Sequence, residues 1–226
     1  MNTKLLKQLT LATALMAAVG AAAANDTADI KVIGRITPGA CELSLGNGGT
    51  FDYDQMDIST LSAVAKNSLG AKDTDVSITC SGPVQAGLRA IDNQAASVPA
   101  GTGWGGSAAG TGQFGLGTAS DGTMIGAYVM TLAAKSVQLD GAAASKGLRS
   151  QDNGKTWIND VYSESFNSGN KRILSWSNAA APGVPAAFTT MTGTLGVSTV
   201  IQPTDNLPVG RAVDLNGQAT LEVVYL

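Results

Sequence analysis

Two cysteines, Cys41 and Cys80, stand 39 positions apart in a 226-residue chain that contains no histidine. Without an imidazole, Ser-His-Asp and Cys-His catalysis and any zinc site with a histidine ligand are excluded. The three glutamates, Glu42, Glu164 and Glu222, are far apart in sequence. A carboxylate-pair reaction would therefore have to draw on aspartates, and no spacing marks out such a pair. Ser150 to Trp157 fits the pattern S-x-D-x-G-x-T-W. In that pattern the Asp and Ser side chains bond the turn backbone, the glycine takes a positive φ, and the tryptophan packs beneath. Repeated copies build the blades of sialidase-type propellers, whereas one copy in a chain this short reads as a β-turn. Asp121-Gly122 and Asp140-Gly141 are turn signals too, and the aspartates are too scattered for a calcium loop. Trp104, Trp157 and Trp176 have faces that could stack on sugar rings, but burial is the commoner fate of tryptophan. Trp104, set among Gly103, Gly105 and Gly106, is the candidate surface contact. No metal ligand set and no organic cofactor is expected, and nothing here reads as an enzyme.

The elements that must position these residues begin with a leader. Lys4 and Lys7, the apolar run Leu9 to Gly20, and Ala22-Ala23-Ala24 as cleavage site make residues 1–24 a signal peptide. Their removal leaves 202 residues with 12 basic and 17 acidic side chains, a net charge of −5. No later apolar run approaches the roughly 18 residues of a membrane helix, so an exported chain with no integral membrane segment is expected. A mildly acidic surface without a basic cluster argues against nucleic acid. In an oxidising compartment an even cysteine count favours a Cys41–Cys80 disulfide over two free buried thiols. Closing a loop of about 40 residues would stabilise the fold by roughly 4 kcal/mol.

The rest of the chain is short alternating runs set between Gly, Asn, Asp and Pro. Val76 to Cys80 and Val84 to Ile91 alternate, with Ser81-Gly82-Pro83 between them as turn residues. Further strand candidates are Phe114 to Gly117, Ile125 to Ala133, Arg172 to Trp176, Thr194 to Ile201 and Ala219 to Leu226. Helical patterning is scarce, and its best candidate is Ile58, Leu61, Ala65 and Leu69, enough for one or two turns. Pro99 to Gly112 holds six glycines and no charge, and reads as a loop. This pattern predicts an all-β antiparallel sandwich or barrel in a single domain.

The two ends carry the sharpest signal. In Asp29 to Cys41, positions 30, 32, 34 and 36 are Ile30, Val32, Gly34 and Ile36, an apolar edge interrupted where a side chain is missing. An ordinary first strand is one reading. At the other end Ala219, Leu221, Val223 and Tyr225 alternate with Thr220, Glu222 and Val224. A strongly apolar terminal strand either sits between neighbours or awaits a partner.

In this combination the chain resembles pilin subunits of the chaperone–usher type, in particular the longer fimbrial-like ones. The matching features run in order. They are a leader, the alternating segment centred on Gly34, Gly34-Arg35-Ile36, Ala40-Cys41, Asp75 to Cys80, Phe114 to Gly117, Leu215 to Glu222, and the penultimate Tyr225. The resemblance implies an incomplete immunoglobulin-like antiparallel sandwich over residues 38–226, completed by a donor strand, with residues 25–37 as an N-terminal donor extension. A periplasmic chaperone, an outer-membrane usher and neighbouring subunits are the implied partners. The implied route runs through the periplasm to a surface fimbrium with a role in adhesion. Pilin donor-strand complementation is a standing example of strand addition to a sheet edge. On this view Ile30, Val32, Gly34 and Ile36 enter a neighbour's groove beside Ala219, Leu221, Val223 and Tyr225. The alternative from another class is a secreted carbohydrate-binding β-sandwich or a tip adhesin.

Overall fold

The computed structural model describes residues 31–33, 40–101, 112–160, 164–169 and 171–226. The expected leader, Ile30, Gly34, Ile36 and Trp104 lie outside these. The chain divides into two units, Met1–Thr37 and Pro38–Leu226. Of the first, Val32 and Ile33 are strongly exposed, at 92% and 79%.

The second unit is all-β and antiparallel. Its strands are β1 (Cys41–Leu45), β2 (Asn67–Asp92), β3 (Phe114–Gly115), β4 (Gly126–Leu132), β5 (Gln138–Leu139) and β6 (Ala142–Ala143). They continue as β7 (Lys146–Ser150), β8 (Ile158–Asp160), β9 (Glu164–Ser165), β10 (Ile173–Ser177), β11 (Ala187–Ile201) and β12 (Ala219–Tyr225).

One strand organises the rest. β2 runs for 26 residues, and its two halves serve different neighbours. The first half lies between β1 and β11, with β4 and then β3 beyond β11. The second half lies between β12 and β10, with β7 and β8 beyond β10. The crossing is at Ser81-Gly82-Pro83, expected from sequence to be a turn between two strands. It does not reverse the chain. On β11 the partners jump from Val84, opposite Phe188, to Thr79, opposite Thr190. The missing N–H of Pro83 thus falls in a gap of the ladder, where a proline is tolerated.

Alternation explains the core. On β2, Val76, Ile78 and Cys80 are buried while Asp75 and Thr79 are exposed, as a half-buried strand requires. Ala86, Leu88 and Ala90 continue the buried row in the second half. Between the layers Trp176 of β10 meets Phe188 of β11 edge-on at 6.2 Å, and both are shut off from solvent. Ser175, buried in the same strand, donates to the Ala86 carbonyl at 2.8 Å.

Two other turn signals match the structure. Asp140 and Gly141, at φ of 50° and 80°, close the two-residue hairpin between β5 and β6. Ser150 to Trp157 connects the paired strands β7 and β8. There Asp152 accepts from the Thr156 hydroxyl, the Thr156 amide at 2.9 Å and the Ser150 hydroxyl, and these bonds hold its pKa far below the ordinary carboxylate range. The helical spacing of Ile58 to Leu69 yields one 3-10 turn, Ile58–Thr60, capped by Asp57. Asn67 then fixes the following loop through the Ser62 amide and the Ser62, Ala65 and Gln202 carbonyls.

Candidate functional site

Among the described residues, the core of the sandwich is left half covered along β12 and β1. β12 pairs with β2 in the register Ala219↔Asp92 to Tyr225↔Ala86. Ala219, Leu221, Val223 and Tyr225 therefore share a face with the sealed row Ala86, Leu88 and Ala90 of β2. Yet Leu221 and Val223 are only half-buried, and Tyr225 is 50% exposed. β1 repeats the pattern. Leu43 and Leu45 lie opposite the buried Ile78 and Val76, and they too are half-buried while packing on the core.

Both strands are edges. Among the described residues β12 pairs with β2 alone, and so does β1. Backbone polarity on β12 follows from its bonds. The Leu226 amide donates to the Gln85 carbonyl at 3.0 Å, and the Asn93 amide to the Gln218 carbonyl at 3.0 Å. In an antiparallel ladder every second residue bonds the same neighbour. Thr220, Glu222 and Val224 therefore bond β2. Ala219, Leu221, Val223 and Tyr225 turn their N–H and C=O outward. The apolar side chains and the outward backbone groups belong to the same residues.

The two edges meet at one end. The Cys41 amide donates to the Tyr225 hydroxyl at 2.8 Å, and the Cys41–Cys80 disulfide ties β1 to β2 at directly opposed positions. This is the disulfide the paired count favoured. On the outer face of β12, Glu222 binds Arg89 across the strand pair at 2.8 Å through both Nε and Nη2. At the far end the Asp92 carboxylate accepts from the Gly115 and Gln94 amides at 2.9 and 2.8 Å, while burial raises its pKa. Burial also pushes the Tyr128 hydroxyl upward, with the Asp92 charge adding to the effect.

Other surfaces offer less chemistry. A shallow cleft of about 450 Å³ is lined by Asn47, Thr50, Phe51, Asp52, Lys72 and Asp73. Among the described residues no group of three or more His, Cys, Asp or Glu side chains is placed to hold a metal ion. No helix among them is long and apolar enough to cross a membrane. Trp176 is a core residue and Trp157 is half-buried.

The structure thus lines Ala219, Leu221, Val223 and Tyr225 along one strand, with the Cys41–Cys80 pair at its Tyr225 end. Sequence reasoning missed Leu43 and Leu45, although Cys41-Glu42-Leu43-Ser44-Leu45 alternates cleanly. It also missed the Arg89–Glu222 pair, for which no local signal exists.

Comparison with known proteins adds a family and one relative. Residues 30–129 match a family described as protein of unknown function (DUF1120). Protein GltF of Escherichia coli (strain K12) is 33% identical over 93 residues, covering 38% of this chain. The chain spans 37% of the length of that relative.

Proposed function

We infer that the protein is a structural subunit of a chaperone–usher fimbria that polymerises by accepting a donor strand along β12. The observation that carries this reading is the half-covered row Leu221, Val223 and Tyr225 beside the sealed row Ala86, Leu88 and Ala90, with outward backbone groups on the same residues. A strand laid there gains main-chain hydrogen bonds and buries alternate side chains. Each of Val32 and Ile36 of the incoming segment contributes on the order of 1.5–3 kcal/mol on full burial, before ordering costs. The contact is head-to-tail and non-closing, so it propagates into a fibre. A chaperone holds the same edge during export, an usher passes the subunit on, and the fibre serves adhesion at the cell surface.

The test is Gly34→Leu in the full chain expressed with its chaperone. A leucine there holds the donor backbone away from the edge, where close approach needs a residue without a side chain. The variant should fold and bind its chaperone normally, yet give little or no fibre. Assembly at the wild-type level would sink the reading in favour of a free-standing carbohydrate-binding sandwich.

A further inference from the structure

Resting on that reading, we propose that the outer face of β12 selects the incoming strand: an antiparallel second copy of this chain, with its Arg35 on Glu222 and its Ile33 across Val224.

When Val32, Gly34 and Ile36 face the core, period-two alternation turns Lys31, Ile33, Arg35 and Thr37 outward. These side chains land beside the outward residues of β12, Thr220, Glu222 and Val224. Only whole two-residue steps keep both faces in place, because a one-residue slip would invert them. The permitted antiparallel registers are therefore few, and the outer face ranks them.

With Arg35 opposite Glu222, every outer pair is compatible. Ile33 meets Val224, Thr37 meets Thr220, and Lys31 falls at Leu226. Inward, Ile36 meets Leu221, Gly34 meets Val223 and Val32 meets Tyr225. These three residues bond the outward amides and carbonyls of β12. Pro38 arrives opposite Ala219, and its missing N–H ends the ladder there. Two residues one way, Ile33 would face Glu222 and Lys31 would face Val224. Two further, Lys31 reaches Glu222, but Asp29 faces Val224 and Ile33 faces Thr220. A parallel strand with Arg35 on Glu222 sets Ile33 on Thr220 and Thr37 on Val224.

Glu222 is built for a second cation. Both contacts from Arg89 reach Oε2, and Oε1 has no partner among the described residues. Its side chain keeps 37% of its exposure. Directly opposed opposite charges favour pairing and like charges oppose it, so this pair also rejects strands carrying an acid at that position.

The experiment uses full-length chains. Ile33 and Val224 form a non-hydrogen-bonded pair in the proposed ladder, where side chains lie closest. A chain carrying Ile33→Cys is mixed with chains carrying Val224→Cys, Glu222→Cys or Thr220→Cys under mild oxidation, and interchain disulfides are mapped. The Val224→Cys chain should cross-link about tenfold faster than the other two, as the spacing of opposed and diagonal neighbours dictates. Thr37→Cys should pair with Thr220→Cys, which no parallel arrangement with Ile33 at Val224 allows. Separately, Arg35→Glu and Glu222→Arg should each slow assembly about fivefold or more, and the double swap should restore it. Faster cross-linking at Glu222→Cys or Thr220→Cys, or no rescue by the double swap, overturns the register and leaves donor-strand exchange standing. Cross-linking at no β12 position, together with normal assembly of Gly34→Leu, removes both.

Discussion

The amide of Cys41 and the hydroxyl of Tyr225 are 2.8 Å apart, although 184 positions separate them in the chain. This contact joins the first residue of β1 to the end of β12, and the disulfide at Cys41 carries it on to Cys80. The Tyr225 ring lies with the core-facing row, and its hydroxyl serves as the acceptor.

Tyr225→Phe keeps the ring and removes that acceptor. Because the site is half open, water can replace part of the bond, so the loss should be about 0.5 kcal/mol. Urea unfolding should show a lower midpoint with an unchanged slope. A loss above about 2 kcal/mol would mean the hydroxyl does more than accept one amide proton.

Removing the disulfide should cost far more. Loop closure over 39 positions corresponds to about 4 kcal/mol, a large share of the 5–15 kcal/mol of an ordinary domain. Cys41→Ser with Cys80→Ser should lower the urea midpoint accordingly, and reductant should shift wild type but not the double variant.

Leu88 and Leu221 share a face of neighbouring strands and differ in cover. Leu88→Ala should destabilise by about 2–5 kcal/mol, the range for a sealed leucine. Leu221→Ala should cost roughly half as much, since part of its surface is already wet. Equal losses in chemical denaturation would show that the edge is closed in solution.

Asp140 accepts from the Thr190 amide at 2.8 Å, the Thr189 amide at 3.0 Å and the Thr190 hydroxyl. The Thr190 amide is the main cause that holds its pKa below the ordinary 3.8. A lowered folded pKa means this stability is present above 3.8 and is lost as pH falls through the folded value. The protection factor of the Thr190 amide against hydrogen exchange should therefore fall as pH drops through the folded value. Asp140→Ala should show the reduced protection at neutral pH and lose about 1 kcal/mol.

The candidate edge was largely legible because alternation and core packing coincide there. Ala219 to Tyr225 alternates without a break, and the structure pairs all seven residues with β2. The paired cysteines were legible by count. β2 was not, because Gly82 and Pro83 signal a reversal, and only tertiary pairing reveals that they carry the chain from one layer to the other. The helical spacing of Ile58, Leu61, Ala65 and Leu69 yields one turn and stops there. Asn67 draws Ser62 and Ala65 into a side-chain-bonded loop, and Leu69 already belongs to β2. The Arg89–Glu222 pair joins residues 133 apart, so only the register of β12 on β2 brings it into view.

The passage of β2 through both layers also has a mechanical consequence. Consider a pull between Ala40 and a strand seated on β12. From Cys41 the load crosses the disulfide to Cys80, runs a few residues along β2, and leaves through the β2–β12 ladder. The whole stretch between Asp92 and Ala219 is bypassed and stays slack. Its exposed loops can then vary in sequence and length without weakening the tensile path. Under force spectroscopy, oxidised protein should extend only by the chain that follows Cys80. Reduction should release the segment between Cys41 and Cys80 and add its contour length.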